Sequence, residues 1–212
     1  MRKSKADTAE TRKRIVAVAS NMFLRRGLDA TGVADIMQAS GLTQGGFYRH
    51  FESKEQLIAE ANEAAFRELH TMFERVTAAM APQAALDLIV YRYLHQMQAE
   101  HPSRMCPLAA LSSELRHAGP RVKVAAAEGY ASLVRLIASL LQRLHVSEDA
   151  ILAEAIVLCL VGAVSLSRMA EDAEAATAIL GKAQASVTAM VRNATPVAAT
   201  SVPSECAGSP AR

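Results

Sequence analysis

Tryptophan is absent from the 212 residues, and glycine and proline are sparse, at ten and seven. With hydrophobic residues at 51% and alanine and leucine abundant, this mixture favours helices over strands and allows a substantial core. The three cysteines, Cys106, Cys159 and Cys206, are odd in number and lie far apart, so a disulfide framework is not expected and a reducing cytoplasm fits. The opening MRKSKADTAETRKR is polar and leads into no apolar signal segment. The longest uncharged run in the helical body, Ala155 to Ser167, is thirteen residues. A bilayer span needs roughly 20, so this run reads as a buried helix and no membrane partner is expected.

Net charge is nearly balanced at +2 but unevenly distributed. Residues 1–54 carry ten Lys/Arg against five Asp/Glu, or +5; the remainder carries −3. A basic head on a slightly acidic body points to a polyanionic partner for the head, although a solvated basic start would look the same.

Apolar periodicity divides the chain into helices. Residues 1–8 read as a basic arm, and Thr8 or Thr11 can cap a helix running to Arg26 with Ile15, Val18, Ala19, Met22 and Phe23 on one face. Gly27 is a natural stop. Thr31 can cap a short helix over 32–39, Ser40-Gly41 breaks it, and Thr43 can cap another over 44–50. Ser53 caps a long helix to about residue 79, with Gln56 at the capping-box position. After a boundary at Pro82, helical patterns cover 84–100, 106–118, 121–145, 148–170 and 173–193. The last stretch, 194–212, has three prolines and no periodicity and reads as disordered. The expected division is therefore a head over 1–53, a body over 54–193 and a tail over 194–212.

Two short helices joined by a glycine-containing break form a helix-turn-helix pattern. Gly45 and Gly46, poor helix residues, would keep the second helix slim where it enters a major groove. Residues 10–58 resemble the DNA-binding domain of the TetR/AcrR family of regulators. The likeness is carried by Thr31, Gly41, Thr43, Gly46, Phe47, Tyr48, His50, Phe51, Ser53, Lys54, Glu55 and Leu57. It implies an all-α protein, with a three-helix head followed by a helical bundle for ligand sensing and dimerisation, acting as a homodimeric repressor on double-stranded DNA. Thr43 at a helix N-terminus, Tyr48, His50 and Lys54 offer donors to phosphate, while Gln44 and Arg49 can reach base edges. Thr31, Gly45, Gly46 and Phe47 complete the expected DNA-binding set. Phe47 is ambiguous between interface and core, and Phe51 reads as core.

In the resembled family the body binds a small molecule and the last two helices pair across a dimer. Candidate ligand residues are Tyr91, His95, Cys106, Tyr130, Ser165 and Met169, and candidate dimer residues are Val157, Val161, Val187 and Met190. For each of these, plain core or surface is the competing explanation. Cys106 precedes Pro107 at the start of a helix and lies near Arg104, a setting that can lower a thiol pKa. The segment is also similar to one in the electrophile-responsive branch of the family. Two triggers stay open: a non-covalent apolar inducer, the favoured one, or an electrophile at Cys106. The long helix from Lys54, with Phe66, Leu69 and Phe73 facing the body, is the expected lever.

An enzyme is not expected. There is no G-x-S-x-G, phosphate loop or H-E-x-x-H, and His101 with Cys106 lacks an orienting third group. The six histidines are scattered, so neither a metal nor a cofactor is expected. A partner-binding helical module without DNA is the remaining alternative.

Overall fold

The computed structural model describes residues 5–96, 105–146 and 149–194. The protein is all-α. The head holds α1 (Lys5–Arg26), α2 (Val33–Ala39) and a 3₁₀ helix, α3 (Gln44–Arg49). The long α4 (Lys54–Thr77) leads into α5 (Pro82–Tyr91), which runs on as a π turn over Arg92–Gln96. Then come α6 (Pro107–Leu115), α7 (Pro120–Arg143), α8 (Asp149–Ser167) and α9 (Ala173–Asn193). The end of the helix expected over 84–100, and the tail from residue 195, lie outside the described residues.

Local chemistry accounts for most boundaries. Proline occupies the first helical turn of α5, α6 and α7, where its missing N–H costs nothing. Gly27 (φ 90°) and Gly41 (φ 69°) take the left-handed conformation that ends α1 and α2. Ser53 accepts a hydrogen bond from the Gln56 amide at 3.1 Å, and Gln56 Oε1 in turn accepts from the Glu52 amide at 2.8 Å. That is a capping box reaching one residue further back than the usual pattern.

Two expected caps are different in the structure. Neither Thr8 nor Thr11 starts α1: the helix already runs from Lys5, and the Thr11 hydroxyl donates back to the Asp7 carbonyl at 2.7 Å. Residues 5–8 are thus helical rather than part of an arm. Thr31 does not cap α2 either. Gly32 holds the N-cap position, with the Asp35 carboxylate accepting its N–H at 3.3 Å. Thr31 is fully buried and its hydroxyl donates to the Gly27 carbonyl at 2.7 Å, tying the α1–α2 turn together.

Two apolar clusters meet on α4. Its first half, from Leu57 to Ala65, belongs to a cluster built on Ile15, Phe23, Ile36, Phe47 and Phe51. That cluster reaches beyond residue 53 to take in Leu111 and Leu115 of α6 and Val122 and Ala125 of α7. The second half, with Phe66, Leu69 and Phe73, belongs to the body core with α5 and α7–α9. Within the core α4 and α7 come closest where Phe66 lies against Gly129 of α7: a β-carbon on residue 129 would collide with the phenyl ring. A helix pair this close needs glycine.

Gly129→Ala should therefore lower stability although alanine is the better helix former. Overpacking costs about 1–3 kcal/mol, and for a chain of this size each kcal/mol lowers Tm by roughly 2–4 °C. A thermal melt showing an unchanged or raised Tm would mean that the ring moves aside freely.

Candidate functional site

The 3₁₀ helix α3 is the exposed element of the head. Its backbone leaves Thr43 in the N-cap position, and the Thr43 side chain makes no capping bond. Thr43, Gln44, Gly45, Tyr48 and Arg49 are all exposed, with Tyr48, at 79%, the most exposed of the large apolar or aromatic side chains among the described residues. They form one polar and aromatic surface backed by a solid apolar layer. Phe47 is buried and stacks on Phe51 with ring centroids 5.5 Å apart, and the Tyr48 ring stands edge-on to Phe47 at 5.2 Å. The exposed side chains are thus anchored by the single buried ring of Phe47 and its stacking on Phe51.

Within the expected DNA-binding set the structure separates exposed groups from supporting ones. Phe47 is core, which resolves its ambiguity. Thr31 is core as well and cannot touch a ligand without unfolding the turn; its hydroxyl is already used. A β-carbon at Gly45 would meet open space, so this glycine leaves the outer face slim. One at Gly46 would sit 3.5 Å from Met37 Cε, so that glycine faces the head core. Lys54 is half-buried and its ammonium donates to the Leu28 carbonyl at 2.7 Å. It braces the α1–α2 turn, and only its remaining N–H bonds are available to a phosphate. His50 is half-buried beside Phe51.

Two supporting residues were not singled out from sequence. Arg12 of α1 pairs with the Glu60 carboxylate of α4 through Nη1 and Nη2. Its Nε donates to the His50 carbonyl at 3.1 Å, and its guanidinium lies 4.5 Å from the centroid of Phe51. One side chain thereby holds α1, α4 and the end of α3 in register. Glu114, on α6, accepts hydrogen bonds from the amides of Leu28 at 2.6 Å and Asp29 at 3.0 Å. The α1–α2 turn is thus gripped from two sides, by Lys54 on its carbonyl and Glu114 on its amides. Separations of 48 and 86 residues leave no periodic signal for either contact.

The candidate ligand residues do not gather in one cavity. Tyr91 is exposed, with its ring 5.1 Å from His95, and His95 Nε2 is hydrogen-bonded to Gln184 Oε1 at 2.8 Å. Met169 is 73% exposed, Ser165 Oγ lies 3.5 Å from the Ala109 carbonyl, and Tyr130 packs at the margin of the body core. An apolar void at the centre of that core, lined by Ile89, Tyr93, Leu133, Ile137, Val157 and Leu160, measures only about 10 Å³. The body is closed at that point.

Cys106 caps α6 as expected but is buried. Burial pushes its thiol up from the ordinary value, outweighing the lowering effect of the Tyr93 hydroxyl and the α6 amides. The expected activation at a helix N-terminus is therefore reversed by desolvation. The Tyr93 hydroxyl, also buried, is raised by burial first and by Cys106 second, and makes no regular hydrogen bond. Arg104, His101 and Cys206 lie outside the described residues.

Two of the four candidate dimer residues are also corrected. Val157 and Val187 are each 2% exposed inside a single chain and serve its core, while Val161 and Met190 pack at the core margin. The apolar side chains that α8 leaves outside are Ile151, Leu158 and Leu166.

Comparison with known proteins agrees with this geometry. Residues 15–61 match the model of bacterial regulatory proteins of the tetR family, and residues 82–180 match the C-terminal domain of LmrA/YxaF-like transcriptional regulators. The chain belongs to the TetR/AcrR family. Its members among the matches are regulators rather than enzymes. The HTH-type transcriptional repressor KstR2 of Rhodococcus jostii is 29% identical over 107 residues, half of each chain. The HTH-type transcriptional regulator TtgR of Pseudomonas putida is 31% identical over 87 residues, 41% of this chain and 40% of that one. The match thus spans half or less of the length of these curated relatives. In fold the agreement is longer. A TetR regulator from Chloroflexus aurantiacus superposes with TM-score 0.72 at 26% identity, over 91% of this chain and all of that one. Reduced NemR of E. coli gives 0.75 at 18% identity, over 90% of this chain and all of that one.

A raised thiol pKa has a direct consequence for reactivity. Treated at pH 7 with a mild electrophile, Cys106 should stay unmodified in the folded chain, because the thiolate is the nucleophile. Its labelling should set in only above the pH at which an ordinary cysteine reacts, or on unfolding. Peptide mass spectrometry showing rapid single labelling of Cys106 at pH 7 would contradict this.

Proposed function

We propose that this chain is a DNA-binding transcriptional repressor that works as a homodimer on a pseudo-palindromic operator and lets go when a small molecule binds its body. The observation that carries the reading is the surface of α3, where Thr43, Gln44, Gly45, Tyr48 and Arg49 stand outside a fully packed aromatic layer. An exposed tyrosine beside an arginine, a glutamine and a slim glycine suits a groove lined by phosphates and base edges. The basic balance of residues 1–54 supplies the long-range attraction. Such a regulator works where the DNA is, in the cytoplasm.

Dimerisation is supported by α8. This helix is strongly apolar, yet less than half of its apolar stretch is buried within one chain. Length and composition alone would let α7 and α8 cross a bilayer. Both, however, are built into the body: α7 packs along α4 and α8, and α8 along α9. The exposed row Ile151, Leu158 and Leu166 follows helical spacing and fits a second copy of the same face. A two-fold pair would then offer its two heads to successive major grooves about 34–36 Å apart.

Release requires that ligand favour a conformer in which the heads no longer match the operator. The lever is α4, which shares both cores. Of the two triggers, the buried Cys106 with its raised pKa favours the non-covalent one.

Fluorescence anisotropy with the DNA upstream of its own gene tests the head. Tyr48→Ala should weaken binding on every sequence by roughly 1–3 kcal/mol, and Gln44→Ala should change which operator variants are preferred. Binding should also fall steeply with salt. A folded protein with no sequence preference at any salt would sink the reading.

The interface is tested by sedimentation. Leu158→Glu should yield monomers with weak operator affinity and a normal helical spectrum, whereas Val187→Glu should unfold the body. A Leu158→Glu protein that remains dimeric would place the interface elsewhere.

A further inference from the structure

A groove of about 680 Å³ runs between the middle of α4 and the π turn that ends α5, and Met105 also lines it. This is within the range of small-molecule sites, roughly 300–1,000 Å³. Leu69, Met72, Val76 and Met105 give it an apolar wall. Arg67, Arg75 and Arg92 face the same space, against one acid, Glu68.

Among the described residues these cations are poorly matched. Arg67 is shared with Glu63 at 3.8 Å in an exposed pair. Among the described residues Arg75 and Arg92 have no ion-pair partner, and Arg92 Nε is buried with no hydrogen-bond acceptor. A fourth arginine, Arg168, donates to the Met105 thioether at 3.2 Å, and sulfur there is a weak acceptor. Arg92 is also the first residue of the π turn, a distortion of the helix ladder found frequently at functional sites.

We infer that this groove binds an amphipathic carboxylate, with the acid on Arg92 and Arg75 and the alkyl or aryl part along Met72, Val76 and Met105. A guanidinium presents paired N–H donors that match a carboxylate in plane. A neutral apolar molecule of the same shape would cover the arginines and leave Arg92 Nε without an acceptor; a cationic one would be repelled. The site narrows the inducer class of the proposed regulator, and its role in release rests on that reading, whereas binding itself does not. Its position suits the role. It touches α4 directly, and Met105 adjoins Cys106, the cap of α6, whose far end carries Glu114 on the α1–α2 turn of the head.

Calorimetry on the full chain with decanoate, decanol and decyltrimethylammonium, all below their aggregation limits, tests the binding. Decanoate should bind, and decanol and the ammonium should bind at least tenfold more weakly. Arg75→Gln, at an exposed position, and Arg92→Gln should each weaken decanoate about tenfold, which corresponds to about 1.4 kcal/mol. Thermal melts establish that both variants stay folded. Decanol binding as tightly as decanoate, or both variants binding decanoate like the wild type, would overturn the site. Anisotropy on operator DNA separates the two levels. Decanoate that binds as described yet leaves DNA retention unchanged overturns its role as inducer. Loss of decanoate binding with DNA binding intact overturns the site and leaves the regulator standing.

Discussion

One helix of 24 residues serves two cores, and the rest of the molecule is arranged around that constraint. The first half of α4 completes the head, where Leu57 is buried against the layer of Phe23, Phe47 and Phe51; its second half carries Phe66, Leu69 and Phe73 into the body. A helix interior transmits displacement well because its hydrogen bonds are internal and its packing is dense. The head therefore cannot change its angle without disturbing Phe66, which is seated on Gly129 with no clearance for even a methyl group. In the proposed mechanism the contact that stabilises the core is also the one a moving α4 must disturb.

The surface that meets DNA in the proposed reading is held by polar contacts from a distance. Arg12 joins α1, α4 and the end of α3, while Glu114 and Lys54 hold the α1–α2 turn by its amides and its carbonyl. Buried or half-buried charge is costly unless several donors and acceptors are satisfied at once. Arg12 and Glu114 meet that condition with more than one bond each. Glu114 also makes the head part of the body's packing: a shift of α6 would pull on the turn that positions α2. The groove at the other end of α6 and the middle of α4 lies on the elements best placed to exploit this.

The central void of the body, at about 10 Å³, is far below the size of any ligand. A molecule entering there would have to open the core and lose packing to do so, at a cost that scales with the space created. A groove beside α4, already open and lined by cations, carries no such cost. Burial treats Cys106 the same way. A helix N-terminus favours a thiolate, but removal from water disfavours it more strongly.

Much of this was legible in the residues. Apolar spacing located each helix to within a few positions, prolines marked starts, and Gly27 and Gly41 marked stops, because these signals act over one or two turns. The exposed face of α3 could be read from Thr43 to Arg49, since its signature is contiguous. What failed was whatever depended on depth. Thr31 looks like a helix cap and interface residue in a string of letters, Phe47 could be read either way, and both are core in three dimensions. Val157 and Val187 fit an apolar stripe, yet a helix apolar nearly all round does not reveal which side its own chain covers; packing on α9 and α7 decided that Leu158 faces out. The Arg12–Glu60 ion pair and the hydrogen bond from the Leu28 amide to Glu114 join residues 48 and 86 apart, and the arginines of the groove come from different elements. By itself the sequence determined the helices, their ends and the kind of head, because hydrophobic period and backbone stereochemistry are local. Burial, long-range ion pairing and the placement of cations around a groove were decided only by the tertiary structure, because each depends on which distant surfaces exclude water from one another.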